Sequence, residues 1–170
     1  MMDAFLVSQV LAGLALISDS ISFQCKRREY ILACLVVSSA LMGVHFYLLE
    51  VYTAAAIGVI SVARFLLSIF YIRRWLMWLF LLATLLIAVV TYNGILTILS
   101  ATATSCFTIG AFQNNDKLLR ILSICAVCLW IVHNALAGSF MGVLLECVFL
   151  ISCLIGYYRF YIKRNYMDPL

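Results

Sequence analysis

Long apolar runs, interrupted by short polar breaks, make up almost the whole chain. The breaks are clusters of charged or turn-forming residues at positions 26–29, 50, 73–74, 92–94, 114–117 and 138–139. They delimit seven predicted helices, at residues 4–23, 30–49, 52–72, 75–91, 95–112, 118–137 and 140–158. Each run has the length of about 17–25 residues that a transmembrane helix needs, and none alternates as the strands of a barrel do. The pattern therefore predicts an all-α polytopic membrane protein with seven transmembrane helices.

The composition agrees with a chain that is surrounded by lipid. Of the 170 residues, 66% are hydrophobic and 11% are charged, whereas a soluble domain has about 45–50% apolar and about 25% charged residues. The sequence contains no phosphate-binding loop, no dinucleotide glycine motif and no His-Glu-x-x-His motif. We therefore expect a protein that is not an enzyme, has no cofactor, contacts the lipid bilayer and does not bind nucleic acid.

The distribution of basic residues predicts the orientation. Ten of the eleven Lys and Arg residues lie in or beside the first, third and fifth loops or after the last helix: Lys26, Arg27, Arg28, Arg73, Arg74, Lys117, Arg120, Arg159, Lys163 and Arg164. Basic residues concentrate on the cytoplasmic side of a membrane protein. The N-terminus is therefore predicted to lie outside and the C-terminus inside, and the net charge of +4 reflects this bias.

An internal repeat relates the first three helices to the last three. A shift of about 90 residues superimposes Phe23-Gln24 on Phe112-Gln113, His45 on His133, and the segment 70–74 on 160–164. We predict a 3+1+3 arrangement with parallel repeats, as in SWEET-type transporters, whose solute site lies at the repeat interface. The predicted boundaries are 1–74 for the first repeat, 75–93 for a linker helix, 94–164 for the second repeat and 165–170 for a cytoplasmic tail.

Ionisable residues inside the predicted spans are the first candidates for function, because a charge in lipid is costly unless it is paired or hydrated. Arg64 lies near the middle of the third helix and Glu146 in the outer half of the seventh. They form either a structural ion pair or part of a solute site. His133 and Glu146 are equally far from the turn between the last two helices, so they form either a proton-responsive pair or a helix clamp. His45 occupies the equivalent position in the first repeat.

Other polar and small residues follow helical spacing. Helix 5 carries Thr97, Thr104 and Thr108 on one stripe, and helix 1 carries Ser8 and Asp19 in the equivalent place. Such stripes form either helix contacts or a pore wall. Asp19 is expected near the cytoplasmic interface, neutralised by Lys26, Arg27 or Arg28. The motif Gly138-x-x-x-Gly142 is expected to bring helices 6 and 7 close together, and the seven cysteines are expected to be small fillers without a metal.

Two stretches resemble a known family. They are Gly43-Val44-His45-Phe46-Tyr47-Leu48-Leu49, followed by Arg64, and the block that contains Trp130, His133-Asn134, Gly138-Ser139, Gly142 and Glu146. In these residues the chain resembles the YgjV-type bacterial inner-membrane proteins. The resemblance implies a multi-pass protein of the bacterial inner membrane, related to the SWEET, PQ-loop and nicotinamide-riboside transporters. It implies no particular substrate.

Two functions fit these observations. The first is a facilitator or proton-coupled carrier of a small polar solute, with a cavity between the two repeats. Its candidate solute-binding residues are Arg64, His45, His133, Asn134 and Glu146, with Asp19, Thr104, Thr108 and Trp130 as secondary candidates. The second is a non-transporting interaction, assembly or sensor protein, in which the intramembrane charges are structural. A homo-oligomer is compatible with either function.

Overall fold

The computed structural model describes residues 2–49, 52–90, 92, 94–138 and 140–163. Within these ranges the chain forms seven α-helices: α1 (Met2–Ser22), α2 (Arg28–Leu48), α3 (Tyr52–Phe70), α4 (Arg74–Val90), α5 (Ile95–Ala111), α6 (Asp116–Leu136) and α7 (Phe140–Tyr157). A π-helix, Tyr158–Ile162, continues α7. The predicted breaks at Glu50, Asn93 and Ser139 and the predicted tail at 165–170 lie outside the described residues.

The described helices confirm the predicted all-α class. Each begins and ends within two residues of its predicted position, because the polar breaks coincide with the loops. Four helical segments are long and apolar enough to cross a membrane: Phe5–Ser22, Arg28–Leu48, Asp116–Leu136 and Gly142–Ile162. The remaining apolar segments are shorter: Ile57–Phe70, Arg74–Val90 and Ile95–Ala111.

The chain divides into two compact units, residues 1–70 and 71–170. In the first unit, α2 packs against both α1 and α3. In the second unit, α6 packs against both α5 and α7, and α4 packs against α5. We call α1–α3 the first triplet and α5–α7 the second triplet. In each triplet the middle helix therefore contacts both of its sequence neighbours.

Small residues let α2 and α3 approach closely in the first unit. A Cβ atom built on Gly58 would lie 2.8 Å from the Cα of Gly43 and 3.4 Å from the carbonyl oxygen of Ser39. Real Cβ atoms do not come this close to backbone, so the contact between the two helices depends on the absence of a side chain at Gly58. Close backbone approach of this kind is typical of packing between helices in a membrane.

Leucine and alanine side chains, together with one close glycine, form the core of the second unit. Ala103, Leu119, Ala126 and Val127 are fully buried. A Cβ on Gly110 of α5 would lie 3.3 Å from the Cβ of Leu122 in α6, which is tighter than an ordinary van der Waals contact. A side chain at Gly110 would therefore crowd α6, although less severely than a side chain at Gly58 would crowd α2.

Large apolar side chains cover the outside of the helices. The clearest case is α4, where Leu76 is the buried residue and Trp75, Trp78, Leu82 and Leu86 are each more than half exposed. These four positions follow the spacing of one helix face. An apolar stripe of this length is unfavourable in water and typical of a surface that meets lipid.

The turn between α6 and α7 corrects one prediction. Gly138 has a φ of +72°, and a Cβ on it would meet nothing within 4 Å. Gly138 thus ends α6 in the left-handed conformation that glycine adopts at low cost. It is a turn residue, and the expected close approach of α6 and α7 at Gly138 is wrong.

We predict that Gly58→Ala destabilises the protein, because the added methyl group meets the backbone of α2. Overpacking of this kind costs about 1–3 kcal/mol. The matched control is Gly13→Ala in α1, where an added Cβ meets nothing within 4 Å and the better helix propensity of alanine contributes up to about 1 kcal/mol of stability. The measurement is the thermal unfolding of both variants in one detergent. Equal melting temperatures for the two variants would contradict the close contact.

Candidate functional site

His45 occupies the last turn of α2 and is buried. Its Nδ1 lies 2.8 Å from the carbonyl oxygen of Ser8 in α1, and its ring meets the ring of Phe46 edge-on at 5.0 Å. When Nδ1 carries a proton it donates to this carbonyl. The imidazole thus connects the first and middle helices of the first triplet.

His133 occupies the corresponding last turn of α6. It is half-buried, and its ring centroid lies 5.0 Å from that of Trp130 in an edge-on arrangement. Its Nδ1 lies 3.5 Å from the side-chain oxygen of Asn134, at the outer limit of a hydrogen bond. Three of the predicted site residues, Trp130, His133 and Asn134, are therefore neighbours on one turn of α6.

The register of α6 and α7 relates His133 to Glu146. The guanidinium carbon of Arg120 lies 4.8 Å from the ring centroid of Phe160, which fixes the two antiparallel helices at one end. His133 follows Arg120 by 13 residues, and Glu146 precedes Phe160 by 14 residues, or about 20 Å along each helix. His133 and the half-buried Glu146 are therefore at nearly the same level of the second triplet.

Arg64 lies in the second half of α3, six residues before the helix ends at Phe70. Only 6% of its side chain is exposed. Its guanidinium carbon lies 4.6 Å from the ring centroid of Phe65, a cation–π distance. The position is about 9 Å from the end of the helix, so a membrane-spanning α3 carries this charge inside the apolar layer.

Asp19 contacts α2 rather than the first loop. Its carboxylate accepts a hydrogen bond from the Ser38 hydroxyl, and Ser38 is itself buried. The antiparallel packing of α1 on α2 turns Asp19 towards the middle of α2. The neutralisation of Asp19 by Lys26, Arg27 or Arg28 stays a prediction.

The polar stripe on α5 is hydrogen-bonded within its own helix. The Thr108 hydroxyl donates to the carbonyl oxygen of Thr104 at 2.8 Å, and the Ser100 hydroxyl donates to that of Thr97 at 3.1 Å. Thr108 is fully buried and Thr104 is half-buried. Hydroxyl groups bonded to the preceding turn allow polar residues to pack between helices. This geometry favours helix contact over a pore wall for the stripe.

Arg28 is a buried residue that the sequence pattern placed in the first loop. It is the first residue of α2, and 5% of it is exposed. Its Nη2 donates a hydrogen bond of 2.6 Å to the carbonyl oxygen of Ser68. Carbonyl groups in the last turn of a helix have no partner within that helix. Arg28 supplies the missing donor to α3. It therefore stabilises the contact between α2 and α3 in addition to contributing to the positive charge that predicts the orientation.

Arg120 is a second buried arginine that the sequence pattern counted with the loop cations. It lies near the start of α6 and is completely buried. Its guanidinium donates to the Tyr161 hydroxyl, and Tyr161 donates to the carboxylate of Asp116. The π-helix places Phe160 and Tyr161 side by side against α6. A chain of hydrogen bonds therefore joins the beginning of α6 to the end of α7.

A signal in the sequence distinguishes Arg120 from the solvated cations. The buried positions of α6 are Leu119, Arg120, Ser123, Ala126 and Val127, which recur at the three- and four-residue spacing of one helix face. Lys117 lies off this face and is exposed. Counting charges by loop gives the side of the membrane but ignores the helix face, so both Arg28 and Arg120 were missed.

The described residues form no candidate metal centre. No group of three or more His, Cys, Asp and Glu side chains comes together among them. The buried side chains of Lys, Arg, Asp and Glu in the described part of the chain are those of Arg28, Arg64 and Arg120. The electrostatic character of the buried polar sites is therefore cationic.

A cavity of about 550 Å³ opens between α2 and α3. Its walls are small or apolar side chains: Ser39, Ala40, Gly43, Val44, Tyr47, Ala55, Gly58, Val59 and Val62. Neither His45 nor Arg64 lines it. Its chemistry suits an apolar chain and does not suit a polar solute, so the candidate polar residues and this cavity are separate features.

We predict that Arg120→Met destabilises the protein, because it removes the buried donor of a hydrogen-bond network. Leaving one hydrogen-bond partner unsatisfied costs about 1–3 kcal/mol. Arg159→Met is a matched control, since Arg159 lies 5.4 Å over the same Phe160 ring but is exposed, and exposed positions change stability by about 0.5 kcal/mol. The measurement is the free energy of unfolding in mixed micelles. A loss of equal size in both variants would show that the buried network contributes nothing.

Comparisons with known proteins agree with a helical membrane protein. A family profile described as "Bacterial inner membrane protein" (Imp-YgjV) matches residues 6–164. The chain is 27% identical over 169 residues to "Inner membrane protein YgjV" of Escherichia coli (strain K12), and this alignment covers 99% of the chain and 92% of the relative. No solved structure matches the chain. The predicted family is confirmed: the chain belongs to the Imp-YgjV family of bacterial inner membrane proteins.

Proposed function

We propose that the protein is a facilitator or proton-coupled carrier of a small polar solute in the inner membrane. The observation that carries this proposal is the burial of Arg64 within α3, with 6% of the side chain exposed. A charged side chain inside a membrane-spanning segment is costly, and such residues mark solute or ion pathways by default. The two histidine candidates support the proposal because they occupy corresponding positions, His45 in the last turn of α2 and His133 in the last turn of α6.

The proposed architecture has seven spans, with the N-terminus outside and the C-terminus inside. Support comes from the seven described helices and from the packing order, which is the same in both triplets. The shorter helices α4 and α5 have 17 residues each, a length of about 26 Å. This length approaches the hydrocarbon thickness of about 30 Å. In this 3+1+3 arrangement α4 is the connector that lets the second triplet repeat the orientation of the first.

The proposed solute contacts are Arg64 and His45 of the first triplet and His133, Asn134 and Glu146 of the second. Arg64 supplies a permanent positive charge for an anionic group of the solute. His133 and Glu146 lie at one level of the second triplet, and we propose that they act as a proton-responsive pair. We assign Asp19, Thr104 and Thr108 to helix packing, since their hydrogen bonds lie within or between adjacent helices.

In this proposal the chain is not an enzyme and works without a cofactor. Its partners are the lipid bilayer and the solute. This division of roles leaves Arg28 and Arg120 as structural residues of the two triplets, because each is bonded to the third helix of its own triplet.

A binding screen followed by uptake measurements tests the proposed function. Purified protein is screened by thermal shift against anionic, zwitterionic and cationic metabolites, and each compound that raises the melting temperature is tested for uptake into proteoliposomes. We expect a hit that carries an anionic group. We expect Arg64→Gln to reduce its uptake at least tenfold with a nearly unchanged melting temperature, since the residue serves the solute.

Arg73→Gln is the matched control for this variant. Arg73 is an exposed arginine in the loop after α3, so its loss should leave uptake unchanged. The result that contradicts the carrier is a large fall in melting temperature for Arg64→Gln, with no metabolite bound or taken up by the wild-type protein. That result favours the non-transporting alternative, in which Arg64 is structural.

The proposed topology predicts the behaviour of fusion reporters. A reporter that is active only in the cytoplasm should give signal when it is fused after Leu170 and no signal when it is fused at Asn93. The physical reason is the concentration of Lys and Arg in the odd-numbered loops. A reporter that is active only outside the cytoplasm serves as the control and should give the reverse pattern. Cytoplasmic signal from both fusions would overturn the seven-span topology.

A further inference from the structure

Two cysteines meet where α1 turns into α2. The thiols of Cys25 and Cys34 lie within interaction distance of each other. Cys25 lies in the loop between the two helices, and its Sγ is 3.7 Å from the carbonyl oxygen of Ile21 in the last turn of α1. The backbone of Cys34 is tied to the same helix, because the Ser18 hydroxyl donates to its carbonyl oxygen at 2.8 Å. Two independent contacts with α1 therefore hold this pair together.

The pair is reachable from the aqueous side of the first loop. Cys25 lies outside both helices, and both cysteines are half-buried. The two residues that follow Cys25, Lys26 and Arg27, are exposed cations. Positive charge next to a thiol attracts anionic small molecules. A negatively charged diffusible disulfide, of which glutathione disulfide is the common example, matches this surface.

We propose that Cys25 and Cys34 form a reversible dithiol–disulfide site. The inference is independent of the proposed transport function. In the reducing cytoplasm, where the first loop is predicted to lie, the pair is present as thiols. Closing the bond requires the two sulfur atoms to approach to about 2.05 Å, and rotation of the loop residue Cys25 supplies the movement.

The chemistry proceeds by two thiol–disulfide exchanges with glutathione disulfide as the oxidant. In the first, the thiolate of Cys25 attacks one sulfur of glutathione disulfide, a mixed disulfide forms and one glutathione leaves. In the second, the thiolate of Cys34 attacks the Cys25 sulfur, the protein disulfide forms and the second glutathione leaves. Two protein thiols are oxidised and one glutathione disulfide is reduced to two thiols, each of which takes up one of the protons that the cysteines lost.

Tryptic peptides of the wild-type protein identify this bond directly. Cleavage after Lys26 and Arg28 separates the cysteines into peptides 1–26 and 29–64, each of which contains one cysteine. The full-length protein in detergent is incubated with glutathione disulfide, blocked with N-ethylmaleimide and digested without reductant. We expect a linked 1–26/29–64 pair in the mass spectrum, two fewer maleimide labels per chain, and the return of both labels after reduction.

Two variants serve as controls. Cys25→Ser should keep its remaining thiols reduced and yield no linked peptide, whereas Cys125→Ser, which removes an exposed cysteine of α6, should still form the bond. The proposal is overturned if the wild-type protein keeps all of its labels, if Cys25 stops at the glutathione adduct, or if Cys25→Ser still loses two labels. Because the readout is a covalent bond, the result does not depend on whether the protein transports a solute.

Discussion

Two buried arginines hold the third helix of each triplet against the middle helix. Arg28 donates to the carbonyl oxygen of Ser68 near the end of α3, and Arg120 reaches Tyr161 in the π-helix that continues α7. A helix end that is buried leaves carbonyl groups without partners, and a charge that is buried needs hydrogen bonds. Arg28 meets both needs at once, and Arg120 meets the second through the Tyr161 hydroxyl. The other contacts of each triplet, including the glycine contact of α2 and α3, form between helices that are already joined at this end.

The opposite ends of the middle helices carry two of the candidate functional residues. His45 and His133 both occupy the last turn of their helices, far from the arginine ends. The structural and the candidate functional polar groups are thus separated along each middle helix. Such a separation suits a protein that keeps one end of each triplet packed while polar side chains at the other end contact a solute. The buried arginines follow the same division by position, since Arg28 and Arg120 lie near the starts of their helices and Arg64 lies deeper in α3.

The sequence predicted the helices well and the side-chain environments less well. Helix ends follow from the positions of polar breaks, because backbone groups in lipid must stay within helices; the ends of α1 to α7 accordingly agree within two residues. The environment of a single charge depends on which helix face it occupies and on what a distant residue offers. Arg120 was counted among the cations in or beside the fifth loop, because its partners Phe160 and Tyr161 lie 40 and 41 residues away in the sequence. The contact of Asp19 with Ser38 was not predicted, because it depends on the antiparallel packing of α1 on α2. Gly138 was taken for a packing residue, but its backbone conformation makes it a turn residue.

The proposed carrier function requires Arg64 to face a watery path inside the membrane rather than a dry helix contact. Its most direct test is the reactivity of position 64 in membrane vesicles, measured for Arg64→Cys in a cysteine-free background with a charged, membrane-impermeant thiol reagent. Val59→Cys is the control, because Val59 lies on the same helix with 67% of its side chain exposed on the apolar surface. The account predicts that position 64 is modified and that position 59 is not. A position 64 that stays unmodified under conditions that label an exposed loop cysteine would contradict it.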